Sequence, residues 1–141
     1  MQLSQLILPM KTVDFEYPGL DGLFFSLSFL SKKELTRMRK VHLKLMKNKR
    51  SGTFTEELDE EAFMKEYVPS VIKGWKGLDL GNIQEFVIMP EDVDPETKVP
   101  YSDENAYELL TNSQDLDTWV SEQISDIENF RNQDLKKSVE D

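Results

Sequence analysis

The sequence predicts a mainly α protein with a small N-terminal β-hairpin (α+β), about four helices packing in one domain. Three observations predict it. Apolar residues alternate on both sides of a proline- and glycine-bearing turn near the N-terminus. Later stretches open on Ser31, Ser102 and Asp115, each a residue type that caps helices. In the centre, Phe63, Tyr67, Val71 and Trp75 recur every four residues.

In Thr12–Tyr17, Val13, Phe15 and Tyr17 fall on one face of a strand. Pro18-Gly19-Leu20-Asp21-Gly22 supplies turn chemistry, and in Leu23–Phe29 the residues Phe25, Leu27 and Phe29 alternate with Ser26 and Ser28. Two strands alone are marginal in water, so this hairpin is expected to lie on helices or on another protein. Ser31-Lys32-Lys33-Glu34 is a capping box, and the helix it opens is expected to run to about Lys47 with Leu35, Met38, His42, Leu45 and Met46 on one face. Asn48 to Thr55 is expected as a charged, mobile loop.

The acids of Glu56–Glu61 suit the positive end of the next helix, which carries the Phe63-Tyr67-Val71-Trp75 face. Pro69 must interrupt or restart that helix, because its ring clash and missing N–H cost about 3 kcal/mol in a helix interior. Gly77 is the expected C-terminal cap. Ile83–Met89 is consistent with a short helix or a strand, and Pro90–Pro100 reads as an acidic surface loop. Ser102 caps a helix with Ala106, Tyr107, Leu109 and Leu110 as its apolar residues. Asp115 caps a last helix with Leu116, Trp119, Val120, Ile124, Ile127 and Phe130 on its face.

The 141 residues are read as a single domain: a short lead at 1–10, a folded core over 11–131 and a charged, fraying tail at 132–141. A chain of this length buries roughly two-thirds of its unfolded surface, enough for a core without cross-links. There is no cysteine, which excludes disulfides, thiolate zinc sites and cysteine nucleophiles. The first nine residues lack the basic region of a signal peptide, and no apolar run nears the ~20 residues of a membrane span. The expectation is a soluble protein of the cytoplasm.

The net charge of −10 is unevenly spread. Residues 31–50 hold nine basic side chains against the single acid Glu34, a local +8 that leaves −18 elsewhere. Such a stretch suits a nucleic acid or an acidic partner. It is more often a solvated face balanced by the chain's own acids, and an acidic molecule is repelled by a polyanion. Nucleic acid is therefore the less favoured partner.

Catalytic patterns are missing. His42 is the single histidine, set in a helix without a nucleophile motif. Gly74, Gly77 and Gly81 do not form a phosphate-binding pattern, and the acid runs at 56–61 and 91–94 lack the spacing of a calcium loop. The expectation is a protein without catalytic residues, cofactor or metal, and not an enzyme.

Several pieces in order carry a family likeness. Phe29-Leu30-Ser31-Lys32-Lys33-Glu34-Leu35 is followed by Tyr67-Val68 and Val71-Ile72-Lys73-Gly74-Trp75-Lys76-Gly77-Leu78. Then come Pro100-Tyr101-Ser102-Asp103-Glu104-Asn105-Ala106-Tyr107-Glu108-Leu109-Leu110, Trp119-Val120-Ser121 and Asn129-Phe130. The succession, over residues 10–131, resembles the tail assembly chaperones of long-tailed bacteriophages. The resemblance implies a non-enzymatic factor, made in the host cell cytoplasm and absent from the finished virion. It would bind and solubilise the tape measure protein and help to recruit tail tube protein. A permanent tail or baseplate component is the nearest alternative, and a nucleic-acid-binding regulator using residues 32–50 is the next.

A chaperone of this kind needs adaptable apolar surface rimmed by charge, which six methionines and eight phenylalanines can provide. The candidate contacts are Leu20 and Phe24 on the hairpin, and Met89 and Tyr101 where apolar residues fall in irregular backbone. Lys40 and Lys44, on the basic face, would meet an acidic client or a second copy of the chain. Phe63, Val71, Leu110, Trp119 and Ile124 are read as core. Trp75 is read as a buried post at the end of the central helix.

Overall fold

β1 (Met10–Glu16) and β2 (Phe24–Leu30) form the expected antiparallel hairpin, with Val13 opposite Leu27 and Phe15 opposite Phe25. The computed structural model describes residues 1–131, so the tail expected at 132–141 lies outside the described residues. A single 3-10 turn over Leu3–Gln5 precedes the hairpin.

Ser31 caps α1 (Lys32–Val41) by accepting the Glu34 N–H at 3.2 Å. This helix stops six residues earlier than expected. Leu43 to Lys47 instead forms β3 (Leu43–Lys47), which pairs with β4 (Phe54–Leu58). The turn between them is built by Asn48, whose side-chain oxygen accepts the Arg50 and Ser51 N–H groups. The expected loop is therefore the tip of a second hairpin. Leu, Lys, Met and Glu favour helix on their own, and here cross-strand pairing such as Lys44 opposite Glu57 overrides that preference.

Asp59 caps α2 (Glu60–Val71) through the Ala62 N–H. Pro69 lies inside its last turn, and the chain turns extended three residues later as β5 (Ile72–Lys76). The four-residue rhythm thus holds for Phe63, Tyr67 and Val71 but not for Trp75, which sits on a strand. After Pro69 and Ser70 come the β-branched pair Val71 and Ile72 and then, past Lys73, Gly74, a run that does not sustain the helix. β5 pairs antiparallel with β2, Trp75 opposite Phe25, and a register shift leaves Lys73 as a bulge. The sheet order is β1-β2-β5.

Asp79 caps the short α3 (Leu80–Ile83). The loop that follows returns beside it, with Leu80 N–H bonded to the Thr97 carbonyl and Val99 N–H to that of Leu78. Ser102 caps α4 (Asp103–Asn112) as expected. α5 (Gln114–Ser125) is capped by Ser113, not by Asp115: the Ser113 hydroxyl accepts the Leu116 N–H at 3.2 Å, leaving Asp115 in the first turn. A 3-10 turn over Ile127–Phe130 closes the described chain.

Among the described residues the architecture is α+β with five helices and five strands in two sheets, which corrects the expectation of a mainly α protein with one small hairpin. Two stretches read as helix ends, 43–47 and 72–76, are strands. α2, α4 and α5 pack together over one face of the three-stranded sheet. The core comprises Leu23, Phe25 and Leu27 of the sheet with Val68, Val71, Leu110, Leu116 and Val120 of the helices. Through it runs an aromatic cluster in which Tyr17 meets Phe86 and Trp119 edge-on, with ring centres 4.9 and 4.8 Å apart. The other face of the sheet is mostly polar: Ser26 bonds to Asp14, and Lys76 lies 3.6 Å from the same carboxylate.

Candidate functional site

Sequence and packing together leave an open groove of about 800 Å³ at one end of the sheet. One wall is the irregular Ile83–Ile88 segment and the other is the Asn105, Glu108, Leu109 and Asn112 face of α4, with Trp75, Leu78 and Val99 between them. Leu78 and Leu109 are buried and form the floor. The half-buried Trp75 donates its indole N–H to the Val99 carbonyl at 2.8 Å and meets Tyr101 edge-on at 5.0 Å. Its role is the wall of a groove rather than the post of a helix end. Phe86 is pinned from beneath by Tyr17 and Phe25, while Ile88 stands fully exposed at the rim.

Around this apolar lining the charge is of one sign. Residues 84–97 include Glu85, Glu91, Asp92, Asp94 and Glu96 and no basic residue. Glu108 adds a further carboxylate from α4. The Tyr101 hydroxyl donates to the Ile72 carbonyl at 2.6 Å, with Asp103 at 3.2 Å. Burial first, and the nearby Asp103 second, push its pKa up to about 12. It serves as a fixed strut and is not poised for proton transfer near neutrality.

A second feature is the β3–β4 arm. It is exposed along almost its whole length, with Leu43, Leu45 and Phe54 on one face and Met46 on the other. Its tip, residues 47–54, carries Lys47, Lys49 and Arg50 without an acid. The base of the arm is tied down by the Asp59 N–H bonded to the His42 carbonyl and by Lys44, 3.8 Å from Asp59. Among the described residues, Arg37 and Lys44 pair with carboxylates, whereas Lys32, Lys33, Lys40, Lys47, Lys49 and Arg50 form no ion pair. The chain's own acids thus balance only part of the basic stretch.

His42 lies between α1 and α2, its Nε2 2.7 Å from Glu66, with Arg37 2.9 Å from the other oxygen of that carboxylate. The Arg37 hydrogen bond first, and that of His42 second, hold the Glu66 carboxyl below its ordinary 4.5. A carboxylate with a depressed folded pKa contributes stability above its unfolded value and loses it as pH falls through the folded one. Glu66→Gln is therefore expected to lower the melting temperature at pH 7 and to lose less of it below pH 4.5 than the wild type does. A thermal melt series from pH 3 to 7 checks this, and parallel curves would sink it.

The six sequence-predicted contact residues do not form one surface. Met89 and Tyr101 flank the groove, Met89 directly after Ile88 and Tyr101 against Trp75. Lys44 is on the arm, and Lys40 lines a shallow basic depression on α1 with Lys32, Lys33 and Arg37. Leu20 packs onto the core from the β1–β2 turn, and Phe24 is half-buried on the outer face of the sheet opposite Glu16 and Lys76. Sequence reasoning missed Phe86, Ile88 and Glu108 of the groove and Leu45 and Phe54 of the arm. The apolar run Phe86-Val87-Ile88-Met89 beside an acidic loop was the available signal for the first set, and a lone phenylalanine in a polar, glycine-bearing stretch for the second. Among the described residues no cluster of His, Asp or Glu is set to hold a metal ion, and no helix is long and apolar enough to cross a membrane.

Sequence comparison gives the class first: the chain is a phage-derived protein. A family model described as YdaY prophage protein matches residues 30–141, well over half of the sequence, and the chain belongs to that family. No curated protein and no solved structure matches it. The family description speaks to phage origin and carries nothing specific to tail assembly.

Proposed function

We propose that this protein is a non-enzymatic tail assembly chaperone that holds the tape measure protein in the host cytoplasm and helps to bring tail tube protein to it. The observation that carries the reading is the open groove, with Trp75 presented from β5 and Phe86 and Ile88 from irregular backbone, edged by Glu85 and Glu108. Such a site accepts apolar side chains of varied sequence, because its contacts are dispersive and its rim keeps the free protein soluble. Phage origin supports the same reading, as does the resemblance of the ordered sequence pieces to tail assembly chaperones.

Co-expression with the tape measure protein of the same phage tests it. The expected result is a soluble complex that co-elutes with the chaperone, reduced at least tenfold in yield by Ile88→Asp. Ile88 is fully exposed, so this variant should melt like the wild type. A client that precipitates whether or not the chain is present would overturn the proposal. So would stoichiometric amounts of the chain in purified virions.

A further inference from the structure

The arm and the groove are complementary in chemistry, yet they are separate features of one chain. The arm offers an apolar face, Leu45 and Phe54, ending in a basic tip of Lys47, Lys49 and Arg50. The groove offers an apolar lining of Trp75, Phe86 and Ile88 edged by the carboxylates Glu85 and Glu108, with no basic side chain among its lining residues. A two-stranded hairpin with an exposed apolar face is marginal in water by itself, so the arm gains from a partner that covers that face. Elsewhere the structure covers such surface: β2 lies on α2 and α5, whereas the side chains of β3 and β4 are exposed except for the half-buried Leu58.

We infer that the arm of one copy docks in the groove of a second copy, Phe54 and Leu45 entering beside Ile88 while Lys47, Lys49 and Arg50 face the acidic rim. The contact joins two different patches, so it is heterologous: each copy has one arm to give and one groove to receive. Charge complementarity selects this occupant. A nucleic acid would suit the basic tip alone, whereas a groove lined by Glu85, Glu108 and apolar side chains suits both the tip and the exposed Leu45 and Phe54. The inference stands whether or not the client is a tape measure protein. If both hold, client and neighbouring arm compete for one groove, and the client is loaded by displacing the arm.

Sedimentation velocity on the full chain, over a hundredfold concentration range and at 50 and 500 mM NaCl, reads the inference directly. The wild type is expected to exceed monomer mass, increasingly so with concentration, and to weaken in high salt. Phe54→Asp removes the arm's contact and Ile88→Asp spoils the groove, and each variant alone should be monomeric. Both positions are exposed, and unchanged circular dichroism and melting temperature show that the variants fold. An equimolar mixture should then form a one-to-one dimer and nothing larger, because the first variant keeps its groove and the second its arm. Combined reversal of Lys47, Lys49 and Arg50 to Glu should weaken association roughly tenfold or more at low salt and less at high salt. A wild type that stays monomeric at low salt overturns the inference, as does either single variant that still associates or a mixture that does not pair. A monomer that shifts only on addition of duplex DNA would assign the arm to nucleic acid and overturn it equally. Failure of client binding leaves these readouts untouched.

Discussion

Phe25→Ala is expected to remove about 3–5 kcal/mol of stability, the range for truncating a fully buried aromatic ring. Phe25 has no exposed surface and lies at the centre of the sheet, between β1 and β5. Its ring touches four others: Tyr17, Trp75, Phe86 and Trp119, with centres 5.9 to 6.4 Å away. These come from the residue that follows β1, from β5, from the groove wall and from α5, so the void would open where sheet and helices meet. A domain of this size holds roughly 5–15 kcal/mol in all. At about 2–4 °C for each kcal/mol, the melting temperature should fall by roughly 10 °C. Because Phe25 supports Trp75 and Phe86 from beneath, the near-ultraviolet circular dichroism of the folded variant should also lose intensity. A fall of less than about 3 °C would mean that the cluster repacks and that the groove does not rest on this ring.

The elements legible in the sequence were those where local preference and tertiary pairing agree. The β1–β2 hairpin has strict alternation and a turn that permits one register, and the helices opened by Ser31 and Ser102 have caps that satisfy their first N–H groups. The arm was not legible, because Leu43–Lys47 and Glu56–Leu58 are made of helix-forming residues and become strands only against each other. Trp75 was misplaced for a related reason. A four-residue spacing cannot distinguish a helix that continues from one that ends on the same face and hands its next aromatic to a strand. The groove was half legible: Met89 and Tyr101 were singled out for apolar character in irregular backbone, and they flank it. Its walls are Trp75, Phe86 and Glu108, far apart in sequence and joined only when β5, the 83–88 segment and α4 converge.

Gly77→Ala is expected to cost about 2–5 kcal/mol, far more than the same change at another left-handed glycine. Gly77 has φ +76°, and a Cβ placed there would lie 2.2 Å from the Gly22 carbonyl oxygen and 3.1 Å from its carbon. Both are backbone atoms, so no rotamer change relieves the overlap, and either the β1–β2 turn or the end of β5 must move. Gly19 supplies the control. It has φ +85° with nothing within 4 Å of its virtual Cβ, so Gly19→Ala carries only the conformational cost of about 1–2 kcal/mol. The consequence of Gly77→Ala reaches the site, because the next residue, Leu78, forms the groove floor and its carbonyl accepts the Val99 N–H that holds the far wall. The variant should therefore lose both melting temperature and occupancy of the groove, whereas Gly19→Ala should lose a little of the first and none of the second. Chemical denaturation of the two variants side by side decides it: equal losses would show that the close approach of Gly77 to Gly22 does not set the position of the groove.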